Sequence, residues 1–486
     1  AHTSSLQAYP LGSADSFSAG TQLWLGIALL VLATLAIRWP WLGGEVTFPW
    51  DAKAHFQPQI QFLAQSLRDG QSPFWAPYVF SGHPQIADPK SAIFTPYLLL
   101  ALITGAPGSW AIDAATIAIV FLGGAALMLW FRDQGWHWAG GLMAALVFCY
   151  GASMAWRIQH LGQVLSLAYL PVAMLCLERA VARRSVPYGV AAGVIAAMIV
   201  IGRDQVALLT VYLLSALVLW RLVTAPSPVG AIRSGALPLA VAAAVAVALA
   251  AIPILLTTLL AAESNRPSFD FVSAGRGSLH PGLLLTLIAP DLYGGAGTME
   301  DYWGPPSFAW ADTGIFLAQN MGQLYFGAIP LILLLMAAAR GRLWAPEIRF
   351  FSVALVVVVL YALGWYTPVF RVMFEVLPGV SLYRRPADAT FLIGALAAIL
   401  AGYSTHRLFK EPDAPLTKPL VYLVLGVIAG GFEIAFALGY WLDRLPRLPV
   451  PLGTAAVTFL LGAGVLALAR RRIVYQPLVA IAAIAA

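Results

Sequence analysis

Long apolar runs recur along almost the whole chain, separated by short polar breaks, and no other feature constrains its fold as strongly. Each is about 15 to 25 residues long, the length a helix needs to cross a hydrocarbon core. They lie near 23–40, 110–131, 139–156, 161–177, 187–202, 205–222, 236–260, 314–338, 350–366, 389–405, 419–440, 452–469 and 473–486. Thirteen such runs cannot all hide inside one core, so lipid must solvate most of these side chains. Hydrophobic residues make up 60% of the 486 and charged residues 10%, against roughly 25% charged in an average soluble domain. An ordinary cytosolic enzyme is excluded. The expected fold is all-α, a polytopic transmembrane bundle of about 13 spans, with a cytoplasmic segment 1–22 and one transmembrane domain, 23–486. The stretch before Leu23 contains no Lys or Arg, so Leu23 to Ile37 reads as a retained first helix and not as a cleaved signal.

Charge sets the topology. The apolar stretch Ala92 to Thr104 rises only about 20 Å as a helix, short of a roughly 30 Å core, and is laid in the interface. With the N-terminus inside, the cytoplasmic loops collect fifteen basic residues against six acidic ones, leaving thirteen basic and fifteen acidic outside and Glu433 within a span. This satisfies the positive-inside rule, and the overall charge of +6 then needs no nucleic-acid partner. Cys149 and Cys176 sit in separate apolar runs and read as packing residues. The two longest loops, 41–109 and 261–313, both face the exterior and hold most of the chemistry.

In the first loop Asp51 is placed to begin an amphipathic helix on the membrane, with Phe56, Ile60, Leu63 and Leu67 recurring at helical spacing. Asp51 serves either as that helix's N-cap or as a carboxylate that takes a proton from a nucleophile. Trp50, Trp75 and Tyr78 suit an interface belt and equally the stacking of a sugar face. His83, Asp88 and Lys90 follow, Lys90 being able to hold an anionic headgroup. His55, four residues after Asp51, could share a metal with it, although two ligands do not make a site. At the outer ends of later spans stand Arg157, His160, Arg203, Arg384 and Arg385. Arginine clamps phosphate through a planar fork of donors, and each of these also has a reading as a surface anchor. Asp291 and Tyr293 in the second long loop suit an acceptor sugar or peptide, or an ordinary solvated loop.

The pattern Asp51 … Pro73-Phe74-Trp75-Ala76-Pro77 … Ser81-Gly82-His83-Pro84 … Asp88-Pro89-Lys90 … Phe94-Thr95-Pro96, with Arg384-Arg385-Pro386-Ala387-Asp388 late in the chain, resembles the GT-C superfamily of membrane glycosyltransferases. It looks most like the bacterial YfhO-like proteins, over about residues 23 to 400. The resemblance implies an inverting transfer of a sugar from a polyprenyl-phosphate carrier to an acceptor on the periplasmic face of a bacterial inner membrane. Asp51 would be the general base, with Asp88 or His160 as second acid or polar partner. Lys90, Arg157, Arg203, Arg384 and Arg385 would bind the lipid phosphate. Trp50, Trp75, Tyr78, His83, Asp291 and Tyr293 would contact sugar or acceptor. Where several GT-C enzymes carry a further acid after the third span, this chain has Arg157, Gln159 and His160, which leaves a divalent metal open as cofactor. The rival classes are a transporter or flippase of a lipid-linked glycan, for which the intramembrane Glu433 is the residue of interest, and a non-catalytic membrane scaffold.

Overall fold

The computed structural model describes residues 18–264, 269–411 and 417–470. The first seventeen residues and the expected thirteenth span, 473–486, lie outside the described residues. In chain order the helices are α1 (Ala19–Leu42), α2 (Gln57–Arg68), α3 (Tyr97–Thr104), α4 (Ser109–Asp133), α5 (Trp138–Tyr150), α6 (Ala152–Ala155), α7 (Leu161–Ala182), α8 (Val186–Ile201) and α9 (Gln205–Val223). They continue with α10 (Pro228–Ala262), α11 (Phe271–Gly275), α12 (Ala328–Ala339), α13 (Arg349–Ala362), α14 (Pro368–Val376), α15 (Thr390–Lys410), α16 (Lys418–Trp441) and α17 (Pro449–Arg470). Among the described residues there is no strand, only an isolated antiparallel bridge between Ala76 and His83. Nine helical stretches among the described residues are long and apolar enough to cross a membrane, and α8, α12 and α13 are shorter apolar helices. The chain is therefore an all-helical membrane protein.

The middle of the bundle is built from α5, α7 and α15, while α10, α16 and α17 lie at its edge with most of their apolar surface outward. Without water inside a bilayer, helices associate through close packing, which small residues permit. Gly140 and Gly402 show this where α5 crosses α15. A side chain added to either would come within 2.6 Å of the other's carbonyl oxygen. The backbones touch because neither residue has a Cβ.

The ends of the helices segregate. At one end Asp133, the last residue of α4, pairs with Arg179 of α7 at 2.5 Å, and Glu178 of α7 accepts from Trp130, Gln134 and Arg221. At that end too, Arg342, Arg407, Glu347 and Glu411 interact. All of these lie in, or at the helix ends beside, loops that alternation assigns to one side. The opposite end gathers the loop after α1, the turns before α7 and α9, and the segment before α15.

Two stretches differ from the sequence expectation. The helix after Asp51 exists, opening with one wide π turn (Ala52–Phe56) before α2. Its apolar face, however, does not simply lie on lipid, because Leu63 and Ala64 pack against Ile93 and Ala101. The run 314–338 is α-helical only over α12, with a single 3-10 turn at Gln319–Gly322. Residues 315–327 form no α-helix: Gly327 adopts φ +108°, which favours glycine, and amide side chains there bond to distant backbone. Gln319 donates to the Gly295 carbonyl and Asn320 to that of Trp156. The second long loop thus extends to Gly327 and is folded, with Leu279, Leu283, Leu292, Tyr293, Trp303 and Met321 all buried.

Candidate functional site

Phe48 is fully buried, and its backbone N–H donates to Asp113 Oδ2 of α4 at 2.9 Å. This anchors the strap after α1 three residues before Asp51. Asp51 then opens the π turn without making a side-chain cap bond. Its Oδ2 instead lies 3.1 Å from Nδ1 of His160, which precedes α7. The carboxylate side chain is 39% exposed and the imidazole 19%, so the pair stands at an open edge. Oδ1 of Asp51 accepts no hydrogen bond among the described residues.

The electrostatics of the pair follow from its surroundings. The hydrogen bond from His160 holds the Asp51 carboxyl below its ordinary value, against the opposing effect of burial, with Lys90 and His55 helping. Burial pushes the imidazole below 6.5, and the Arg157 guanidinium adds to this, outweighing the bond to Asp51. At neutral pH the arrangement is therefore an ionised carboxylate accepting from a neutral imidazole.

Beneath the pair lies a buried network. Arg157 Nη2 is 2.6 Å from Asp388 Oδ1 and 2.6 Å from Gln163 Oε1, while Gln163 Nε2 donates to Asp388 Oδ2 at 3.0 Å. Nη1 reaches Thr390, and the guanidinium lies 4.4 Å from the Phe391 ring centroid. Arg157 has no exposure and its charge is matched by Asp388, so it does not offer itself to a lipid phosphate as expected. It ties the turn carrying His160 to the start of α15.

Arg203 sits in the left-handed region at φ +51°. Its donors are spent on Ile201, Ala87, Pro253 and Asp88 carbonyls and on the Thr257 hydroxyl. Burial lowers it to about 10. Its geometry is that of a latch holding the Asp88 loop against α10. Asp204 beside it caps α9 through Ala207 N–H and accepts from Ser166, and burial pushes its carboxyl up to about 6.

The remaining predicted residues divide. Asp88 pairs with His83 at 3.2 Å and accepts from Lys90 N–H, so it does not join Asp51 and His160. The Lys90 side chain is exposed and lowers Asp51 from nearby. Arg385 approaches Asp388 at 3.7 Å, and Arg384 lies over Phe269. Trp50, Trp75 and Tyr78 are exposed. Asp291 is half-buried and accepts from Ala296 N–H. Tyr293 cannot contact an acceptor, since it is fully buried with its hydroxyl donating to the Gly282 carbonyl. His55 faces solvent, and among the described residues no group of three metal-ligating side chains gathers. The residues present do not fit a divalent ion. Glu433 lies exposed on α16.

An apolar cleft opens beside the pair. It is lined by Phe56, Tyr97, Leu165, Tyr169, Met198 and Ile201, with Gly162 two residues beyond His160 also on its wall. Asp113 and Asp388 are not marked by the sequence because Phe48 and Arg157, which they bond, are far along the chain. The one available signal for Asp388 was its place in the Arg384-Arg385-Pro386-Ala387-Asp388 segment. No protein-family model matches the chain, and no curated protein matches it.

Proposed function

We propose that this protein is a GT-C-type membrane glycosyltransferase, working on a polyprenyl-phosphate sugar at the exterior face of a bacterial inner membrane. The observation that carries this reading is the ionised Asp51, braced by His160 at 3.1 Å, standing at the edge of an apolar cleft. A lipid-linked sugar needs such an arrangement, with an apolar groove for the isoprenoid and a base for the acceptor. The thirteen-span topology with a cytoplasmic N-terminus belongs to the same proposal. It draws support from the loops that alternation puts on one side meeting at one end of the bundle.

In this mechanism the acceptor hydroxyl donates to the open Oδ1 of Asp51 and attacks the anomeric carbon from the face opposite the phosphate. The sugar–phosphate bond breaks, leaving polyprenyl phosphate, and the hydroxyl proton passes to Asp51. In an oxocarbenium-like transition state the acceptor oxygen becomes acidic as it bonds. A weakly basic but fully ionised carboxylate therefore suffices. His160 keeps Oδ2 occupied and Oδ1 turned outward. Lys90, with Arg384 and Arg385, meets the charge that develops on the leaving phosphate, while Arg203 holds the Lys90 loop in place. Trp50, Trp75 and Tyr78 offer aromatic faces to the sugar.

The test is to reconstitute the chain in vesicles and present a panel of polyprenyl-phosphate sugars with glycoside acceptors. Release of polyprenyl phosphate together with a new glycosidic bond is expected from at least one donor, and Glu433→Gln should leave it unchanged. Movement of intact donor across the bilayer without cleavage would instead establish a transporter and overturn the proposal.

A further inference from the structure

Arg38 lies about one turn, roughly 6 Å, inside the end of α1 that leads to Asp51, and it is 5% exposed. No carboxylate pairs with it among the described residues. Asp113 on the neighbouring α4 is turned to the Phe48 N–H instead. The guanidinium makes one hydrogen bond, from Nη2 to the Cys149 carbonyl at a long 3.4 Å. It also lies 5.4 and 5.7 Å from the ring centroids of Trp41 and Tyr150, but rings attract a cation without accepting its in-plane N–H groups. Arg38 lines a cleft of about 230 Å³ whose other walls include Ile117, Val120, Phe121, Tyr150 and Ile158. Its Nε and Nη1 bond nothing among the described residues yet stay accessible, as donors opening on that cleft do.

A charge held away from water without a counter-charge is costly, and this one borders open space. Whichever Nη2 hydrogen reaches Cys149, one edge of two parallel N–H groups is left whole, and such an edge matches two oxygens of a phosphate. Ile117, Val120, Phe121 and Ile158 make the rest of the wall apolar, which suits the carbon skeleton of an ester better than a hydrated free ion. Phe121 and Tyr150 are partly exposed, and Leu122 beside them is fully so, which puts the mouth on the lipid side of α4. Trp39 and Trp110 are exposed at the same end and mark the level of lipid headgroups, as interfacial tryptophans do. We infer that Arg38 and this cleft bind the phosphate of an anionic lipid, with the adjoining carbons against Ile117, Val120 and Ile158. The site shares no residue with the cleft beside Asp51, and the inference stands apart from the transferase reading.

Native mass spectrometry of the full chain, stripped of lipid in detergent, tests this by titration with phosphatidylglycerol, phosphatidylcholine and sodium phosphate. One phosphatidylglycerol should stay bound at collision energies that shed the others, and Arg38→Gln should weaken it about ten-fold or more. Phosphatidylcholine should bind more weakly, because its choline brings a positive charge toward Arg38. Val120→Phe, which fills the cleft and keeps Arg38, should remove the same adduct. Melting curves show that the variant folds. Without lipid, Arg38→Gln should melt no lower than the native chain, since it gives up an unmatched buried charge. Phosphatidylglycerol at a hundredfold excess over its Kd should raise the native midpoint by about 2–3 °C and leave that of Arg38→Gln in place. Equal retention of phosphatidylglycerol by native chain and Arg38→Gln overturns the site, and so does a lipid-free midpoint of Arg38→Gln clearly below the native one, which would mean that the protein itself satisfies Arg38. Displacement of phosphatidylglycerol by millimolar free phosphate overturns the lipid as the source and assigns the arginine edge to the free ion.

Discussion

Replacing Asp388 by Asn isolates what the buried network contributes. Asp388 is 2% exposed and Arg157 not at all, so the pair is held without water. The substitution keeps the shape but removes the charge facing Arg157, and it sets an amide N–H against Gln163 Nε2 where a carboxylate oxygen stood. Gln163 cannot turn to relieve that clash without giving up its own bond to Arg157. Breaking a buried ion pair by removing one partner costs about 3–5 kcal/mol. Arg385, 3.7 Å from the same carboxylate, loses its counter-charge too, which puts the effect toward the upper end. With an unfolding entropy of about 2 cal/mol/K per residue, the melting midpoint in one detergent should fall by roughly 3–5 °C. Unfolding of large proteins is often irreversible, so the variants are compared at one scan rate. The double change Arg157→Met with Asp388→Leu should recover most of the loss, because a matched apolar replacement of a buried pair is often neutral. A midpoint for Asp388→Asn within about 1 °C of the native chain refutes the reasoning.

Three further outcomes are expected. Because burial lowers His160 below 6.5 in the folded state, the unfolded chain binds more protons just under that pH. Native stability should fall as pH drops from 7 to 5, and His160→Gln should flatten the fall in melting curves. Asp204 has the opposite sign: its carboxyl is raised to about 6 from 3.8, so the folded state loses stability as pH rises through 6. Asp204→Asn, which retains a capping side chain, should raise the melting midpoint at pH 8 and leave it unchanged near pH 4. Gly402→Val would force a side chain against the Gly140 carbonyl, a backbone atom that cannot swing away. It should cost about 1–3 kcal/mol or more, seen as poor recovery of folded protein by size exclusion.

The legible parts of this chain were those whose signal is local. Phe56, Ile60 and Leu63 carry their own helical period, and they are buried as that period requires. Apolar runs declare themselves wherever they exceed a bilayer's width, and twelve of the thirteen expected spans overlap an apolar helix among the described residues. What stayed hidden was pairing across distance. Asp51 meets His160 over 109 residues and Arg157 meets Asp388 over 231, and nothing in either neighbourhood marks the partner. Tyr293 was misread because its Gly-rich, acidic surroundings resemble a solvated loop, whereas Trp303 and Trp310 close over it at 4.7 and 6.4 Å. Averaged hydropathy also concealed Gln319, Asn320 and Gln323, whose apolar neighbours made 314–338 look like one span. Single polar residues in such a run decide locally whether the backbone coils or bonds elsewhere.

The proposed transfer depends most directly on Asp51. Turnover of the best polyprenyl-phosphate sugar, measured as new glycosidic product in vesicles carrying native chain or Asp51→Asn, compares an ionised carboxylate with a neutral isostere in the same fold. A loss of about 10²–10⁴-fold is expected. Undiminished product formation by Asp51→Asn would contradict it.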